Sequence, residues 1–201
     1  MRPQDSTGLT FRNAADEMVY VAYRLSVATN RYACALDLLP TSIITTRDLL
    51  SLLAFERKGD VTNDLVSVYR RCGRWELKGD IACESSAMHS ENGVRIMIND
   101  IASLLDRHDE NELRGANGII IALLRGGYPQ AADIYVRFIR EQAYETLRPD
   151  FYSALTALGD TRCYTEARRD IADPSVDDAT KMAARLYLAG GTRGNEDSEG
   201  K

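Results

Sequence analysis

A pair of glycines follows the most apolar stretch of this chain and separates it from a second, periodic segment. The run Ile119 to Leu124 leads into Gly126 and Gly127, and glycine readily takes the positive φ that ends a helix. Pro129 follows where the first turn of a new helix needs no amide donor. Apolar residues then recur at helical spacing as far as Ile139. The pattern predicts two helices joined by a tight turn.

Helical periodicity extends over most of the chain, and no segment shows clear strand alternation. Glycines at positions 59, 93, 127, 159 and 191 are spaced by 32 to 34 residues, close to the period of about 34 typical of helical-hairpin repeats. We therefore predict an all-α fold. It is either a stack of antiparallel helical hairpins, an α-solenoid, or an irregular multi-helix bundle.

The glycine turn also carries a family resemblance. The spacing of Gly126, Tyr128, Ala131 and Tyr135 resembles the turn and second helix of a tetratricopeptide repeat (TPR). The resemblance is confined to Leu124 to Ile139, about half of one repeat. It implies TPR-like helical hairpins and a role in binding other proteins, but no catalytic activity.

The apolar run Ile119 to Leu124 has two interpretations. A helix that is apolar on all sides usually lies in the core. The first helices of TPR-like hairpins, however, line a concave surface that takes peptide ligands. The resemblance therefore implies a partner-binding groove lined by Leu113, Ala116, Ile120 and Leu123.

The chain divides into a flexible N-terminal arm over residues 1–12, a helical domain over 13–189 and a disordered, charged tail over 190–201, which has no large apolar residue. Within the domain, the periodicity predicts a long helix from Tyr128 to Leu147, ended by Pro149. Lys78, Gly79 and Asp80 predict a helix break.

A net charge of −5 argues against nucleic acid as the main partner, because such binding depends on many Lys and Arg side chains. A local basic patch remains a candidate nucleic-acid site. Its basic side chains can bind phosphate, and an aromatic ring beside them can stack on a base. It consists of Arg70, Arg71, Arg74 and Trp75.

Catalytic and metal-binding patterns are absent from the sequence. The four cysteines lack the close pairing of a zinc site, and only His89 and His108 could serve as an imidazole base. The polar run His108 to Glu112 is explained by helix capping. We therefore assign no catalytic residue, metal ligand or cofactor.

These features predict a non-enzymatic protein–protein interaction module, such as an adaptor, chaperone or assembly factor, that binds another protein or itself. One alternative is a structural or regulatory protein of a virus or mobile element that self-assembles or blocks a host complex. Another is a helical nucleic-acid-binding protein. No apolar run approaches the roughly 20 residues of a membrane span, and the N-terminus lacks the pattern of a secretory signal. We expect a cytoplasmic location, or the host cytoplasm for a viral protein.

Overall fold

The computed structural model describes residues 13–41, 46–57 and 61–196. Every regular element in this part of the chain is helical, which confirms the all-α prediction. The helices are α1 (Ala14–Val27), α2 (Arg31–Leu38), α3 (Thr46–Arg57), α4 (Thr62–Arg71), α5 (Trp75–Glu84), α6 (Glu91–Arg107), α7 (Glu110–Gly115), α8 (Asn117–Gly126), α9 (Ala132–Arg140), α10 (Arg148–Ala157), α11 (Tyr164–Ala172) and α12 (Asp178–Glu196).

The chain forms two compact units, Met1–Ala122 and Leu123–Lys201, and the boundary falls within α8. The sequence predicts one helical domain over residues 13–189 and does not predict this division. Helix α12 also continues to Glu196, past the predicted start of the disordered tail at Gly190. The predicted arm over residues 1–12 lies outside the described residues.

In the first unit, α2 packs on α3, α3 on α5, and α5 on α7. Helix α5 is continuous, so the predicted break at Lys78, Gly79 and Asp80 is wrong. Gly79 instead allows the backbones of α5 and α8 to pack closely together. A Cβ on Gly118 of α8 would lie 2.7 Å from the Cα of Gly79, so neither position has room for a side chain.

Side chains cap the starts of α1 and α7 in this unit. Asn13 accepts a hydrogen bond from the amide of Asp16 at the start of α1, and Asp109 accepts one from the amide of Glu112 at the start of α7. His108 has a φ of 52° and ends α6. The polar run from His108 to Glu112 therefore forms a helix end and a helix start.

The second unit contains the predicted glycine turn. Gly127 has a φ of 59°, and a Cβ on Gly126 would overlap the ring of Tyr128. Pro129 opens a short 3₁₀ turn before α9. Helix α10 packs against both α9 and α12, and α11 also packs against α12.

The predicted long helix from Tyr128 to Leu147 is wrong, because α9 ends at Arg140. Gln142 and Tyr144 take positive φ values of 54° and 58°. The ring of Tyr144 then packs edge-on against Phe138, with 6.1 Å between ring centroids. Pro149 lies in the first turn of α10 and so begins a helix rather than ending one.

Candidate functional site

Helix α1 exposes an apolar face. It buries Glu17 and Val21 on its inner side. Four of its large apolar side chains are exposed by more than half: Met18 by 53%, Val19 by 69%, Tyr23 by 62% and Val27 by 59%. Ala22 is exposed among them. We call Met18, Val19, Tyr23 and Val27 the α1 face.

Neighbouring apolar side chains that are exposed together often mark a surface that binds another protein. The sequence indicates that some apolar side chains of α1 are exposed, because they are spread over neighbouring faces and cannot all point inward. This pattern does not show which face is buried. Sequence reasoning therefore misses the α1 face.

The second unit has a cavity of about 520 Å³ where α10 and α12 begin. It is lined from the α10 side by Glu145, Thr146, Arg148 and Pro149, and from the α12 side by Ser175, Val176, Asp177, Ala179 and Thr180. The cavity therefore offers carboxylates, hydroxyls and a guanidinium beside a few apolar groups.

Arg148 is fixed in the wall of this cavity by a buried ion pair. Its Nε lies 2.7 Å from Oδ2 of Asp170, and the two side chains are only 8% and 3% exposed. Its Nη2 donates to the carbonyl of Ile139 at 3.0 Å, and the hydroxyl of Tyr152 donates to Oδ2 of Asp170 at 2.7 Å. Asp170 is therefore the buried counter-charge of Arg148, and its Oδ1 also lies 3.5 Å from Nε of Arg169.

Asp177 is held as an oriented carboxylate at the start of α12. Its Oδ1 accepts from the amide of Thr180 at 3.0 Å, and its Oδ2 accepts from the Thr180 hydroxyl at 2.6 Å. The hydroxyl hydrogen bond, followed by that of the amide, lowers the pKa of Asp177 below its usual value. The carboxylate is therefore ionised at neutral pH.

A short apolar stripe runs along α12 from the same place. Met182 and Leu186 are each 63% exposed and lie one turn apart. Ala179, one turn before Met182, lines the cavity. We call Ala179, Met182 and Leu186 the α12 stripe.

The structure buries the four residues of the groove implied by the TPR resemblance. Leu113 is 5% exposed, Ala116 0%, and Ile120 and Leu123 1% each. A partner has no access to these side chains in the folded protein. The placement agrees with the alternative interpretation of this apolar run as core, and we assign no binding surface here.

The basic patch is only partly brought together. Arg70 and Arg71 are exposed at the end of α4, and Arg74 precedes α5. The ring of Trp75 lies 4.5 Å from Nζ of Lys78, which also pairs with Asp100 at 2.8 Å. Because an internal cation occupies one face of this ring, that face is closed to a nucleic-acid base. Nucleic-acid binding here stays a prediction.

Across the described residues, no group of three or more His, Cys, Asp or Glu side chains is placed to hold a metal ion. The same part of the chain has no helix that is both long enough and apolar enough to cross a bilayer.

Comparison with protein-family models, curated proteins and solved structures finds no match for this chain. Its resemblance to TPR proteins therefore stays a prediction.

Proposed function

We propose that this chain is a non-enzymatic interaction module that binds another protein through the α1 face. The exposure of Met18, Val19, Tyr23 and Val27 carries the proposal. Fully burying a large apolar side chain stabilises a complex by roughly 1.5 to 3 kcal/mol. A partner that covers these four side chains therefore gains several kcal/mol before the cost of association.

The partner is a protein with a complementary apolar groove. An amphipathic helix that lays its apolar face into such a groove is a common recognition mode, with anchors at helical spacing. Val19, Tyr23 and Val27 follow each other at four-residue intervals and supply anchors of this kind. The TPR resemblance supports an interaction role as well.

A charge on the α1 face should abolish partner binding without unfolding the protein. In Val19→Glu the new carboxylate stays in water in the free chain but must lose its hydration in the complex. Asn63→Glu is the matched control, because Asn63 is exposed on α4 and the charge change is the same. We expect unchanged circular dichroism for both variants and loss of a partner only for Val19→Glu, measured by affinity capture from the native cell and mass spectrometry.

The alternative occupant of the α1 face is a second copy of the chain. Sedimentation velocity of the purified protein tests it. A dimer that Val19→Glu dissociates and Asn63→Glu does not would contradict binding of a different protein. Retention of every captured protein by Val19→Glu would likewise contradict the proposal.

A further inference from the structure

We propose that Arg24 determines which groove the α1 face enters, by pairing with a carboxylate on the rim of the partner's groove. The inference rests on the proposed function and adds a specificity-determining residue and a charge requirement for the partner. Arg24 lies at the edge of the α1 face, because it is half-buried and follows the buried Val21 by three residues. Val27 of the α1 face lies one helical turn after Arg24.

The guanidinium group of Arg24 is held in place with one edge left open. Its Nη1 donates to the hydroxyl of Tyr20 at 2.7 Å, and its Cζ lies 5.7 Å from the centre of the Tyr20 ring. Within the described residues, neither Nε nor Nη2 has a hydrogen-bond acceptor. These two nitrogens form the planar fork that matches both oxygens of a carboxylate. Because Tyr20 already restricts the side chain, less entropy is lost when a carboxylate binds.

Arg24 has no ion-pair partner among the described residues. The hydrogen bond to Tyr20 is the main reason that the pKa of Arg24 is raised, and Asp37 on α2 adds only a small effect through its charge. A carboxylate of the partner therefore pairs with this cation without displacing an internal one.

The rest of α1 favours a protein carboxylate over a polyanion. Between Met18 and Val27, Arg24 is the only charged side chain. A nucleic acid needs several cations to replace its counterions, and the exposed Asp16 would repel it. Asp16 lies about 12 Å from Arg24 along the helix axis, at a rise of about 1.5 Å per residue. The partner's carboxylate therefore lies beside the C-terminal half of α1, which sets the direction in which this helix enters the groove.

Selection from a displayed library of three-helix domains tests the proposal. The domains are randomised on the facing surfaces of two helices, so that they present grooves. The full chain is the target, and domains that also bind Val19→Glu are removed, so the remaining binders use the α1 face. We expect these binders to carry an aspartate or glutamate among apolar residues. In fluorescence anisotropy, Arg24→Glu should weaken their binding at least about tenfold, and Arg24→Gln, which adds no like charge, about two- to fivefold.

Arg95→Glu is the matched control. Arg95 is exposed on α6 and also donates to a side chain one turn away, Asn92, at 3.1 Å. The charge change is the same as in Arg24→Glu, but the affinity of the binders should not change. Replacing the acidic residue of a binder by lysine should restore its binding to Arg24→Glu. A merely structural effect of the substitution on α1 would not give this rescue.

The outcomes separate this inference from the proposed function. Binders without an acidic residue, or equal affinity for Arg24→Glu and Arg95→Glu, would overturn the role of Arg24 while leaving the α1 face as the binding surface. Failure of the lysine exchange to restore binding to Arg24→Glu would overturn that role as well. If no selected domain is sensitive to Val19→Glu, both the inference and the proposed function are wrong.

Discussion

Asp170→Asn should lower the free energy of unfolding by about 3 to 5 kcal/mol, because it leaves Arg148 buried without its counter-charge. The Arg148 side chain is only 8% exposed, so water compensates for the lost carboxylate only in part. For a chain of this length the change corresponds to a fall in Tm of about 6 to 20 °C. Circular dichroism during thermal unfolding measures it.

A more solvent-exposed ion pair in the same unit provides the control. Arg137 donates to Glu141 one helical turn away at 3.0 Å, and the two side chains are 31% and 33% exposed. Glu141→Gln should change stability by no more than about 0.5 kcal/mol, since exposed pairs on helices contribute little. Equal losses from Asp170→Asn and Glu141→Gln would contradict the account of Arg148 and Asp170 as a desolvated pair.

Tyr135→Ala should cost about 3 to 5 kcal/mol, because it removes a fully buried ring from the packing between α9 and α10. Tyr135 is 0% exposed, and its ring stacks on Phe151 with 6.0 Å between centroids. Phe151 stacks in turn on Phe138 at 4.6 Å. The free energy of unfolding in urea measures the loss.

Tyr135→Phe should give the opposite result. The buried hydroxyl of Tyr135 has no hydrogen-bond partner in the described part of the chain, and burial raises its pKa above the usual value. Removing an unsatisfied hydroxyl while keeping the ring should be neutral or stabilising by about 1 kcal/mol. A loss from Tyr135→Phe as large as that from Tyr135→Ala would show that the hydroxyl, rather than the ring, stabilises this core.

The sequence predicts helices reliably here but misplaces ends that depend on distant contacts. The turn at Gly127 can be predicted because glycine favours its positive φ. Gln142 and Tyr144 take the same conformation without such a residue. The conformational preferences of the residues after Arg140 therefore do not predict that α9 ends there. Tertiary contacts such as that between Tyr144 and Phe138 accompany it.

The same limit applies to sites built from separate helices. Gly79 looks like a helix breaker in sequence, and only the close approach of Gly118 shows why glycine is needed there. From the sequence, Arg148 is expected to be an exposed surface charge, because its partner Asp170 is distant in sequence and lies on another helix. The cavity joins residues of two helix starts, so periodicity alone could not have assembled it.

Site-specific photo-crosslinking at the α1 face tests the central claim most directly. Tyr23, which is 62% exposed, is replaced by p-benzoylphenylalanine, and the exposed Asn63 is replaced in the same way as a control. After irradiation in the native cell, mass spectrometry should identify a covalent adduct with a different protein at position 23 and not at position 63. No adduct at position 23, the same adducts at both positions, or an adduct only with a second copy of the chain would contradict the account.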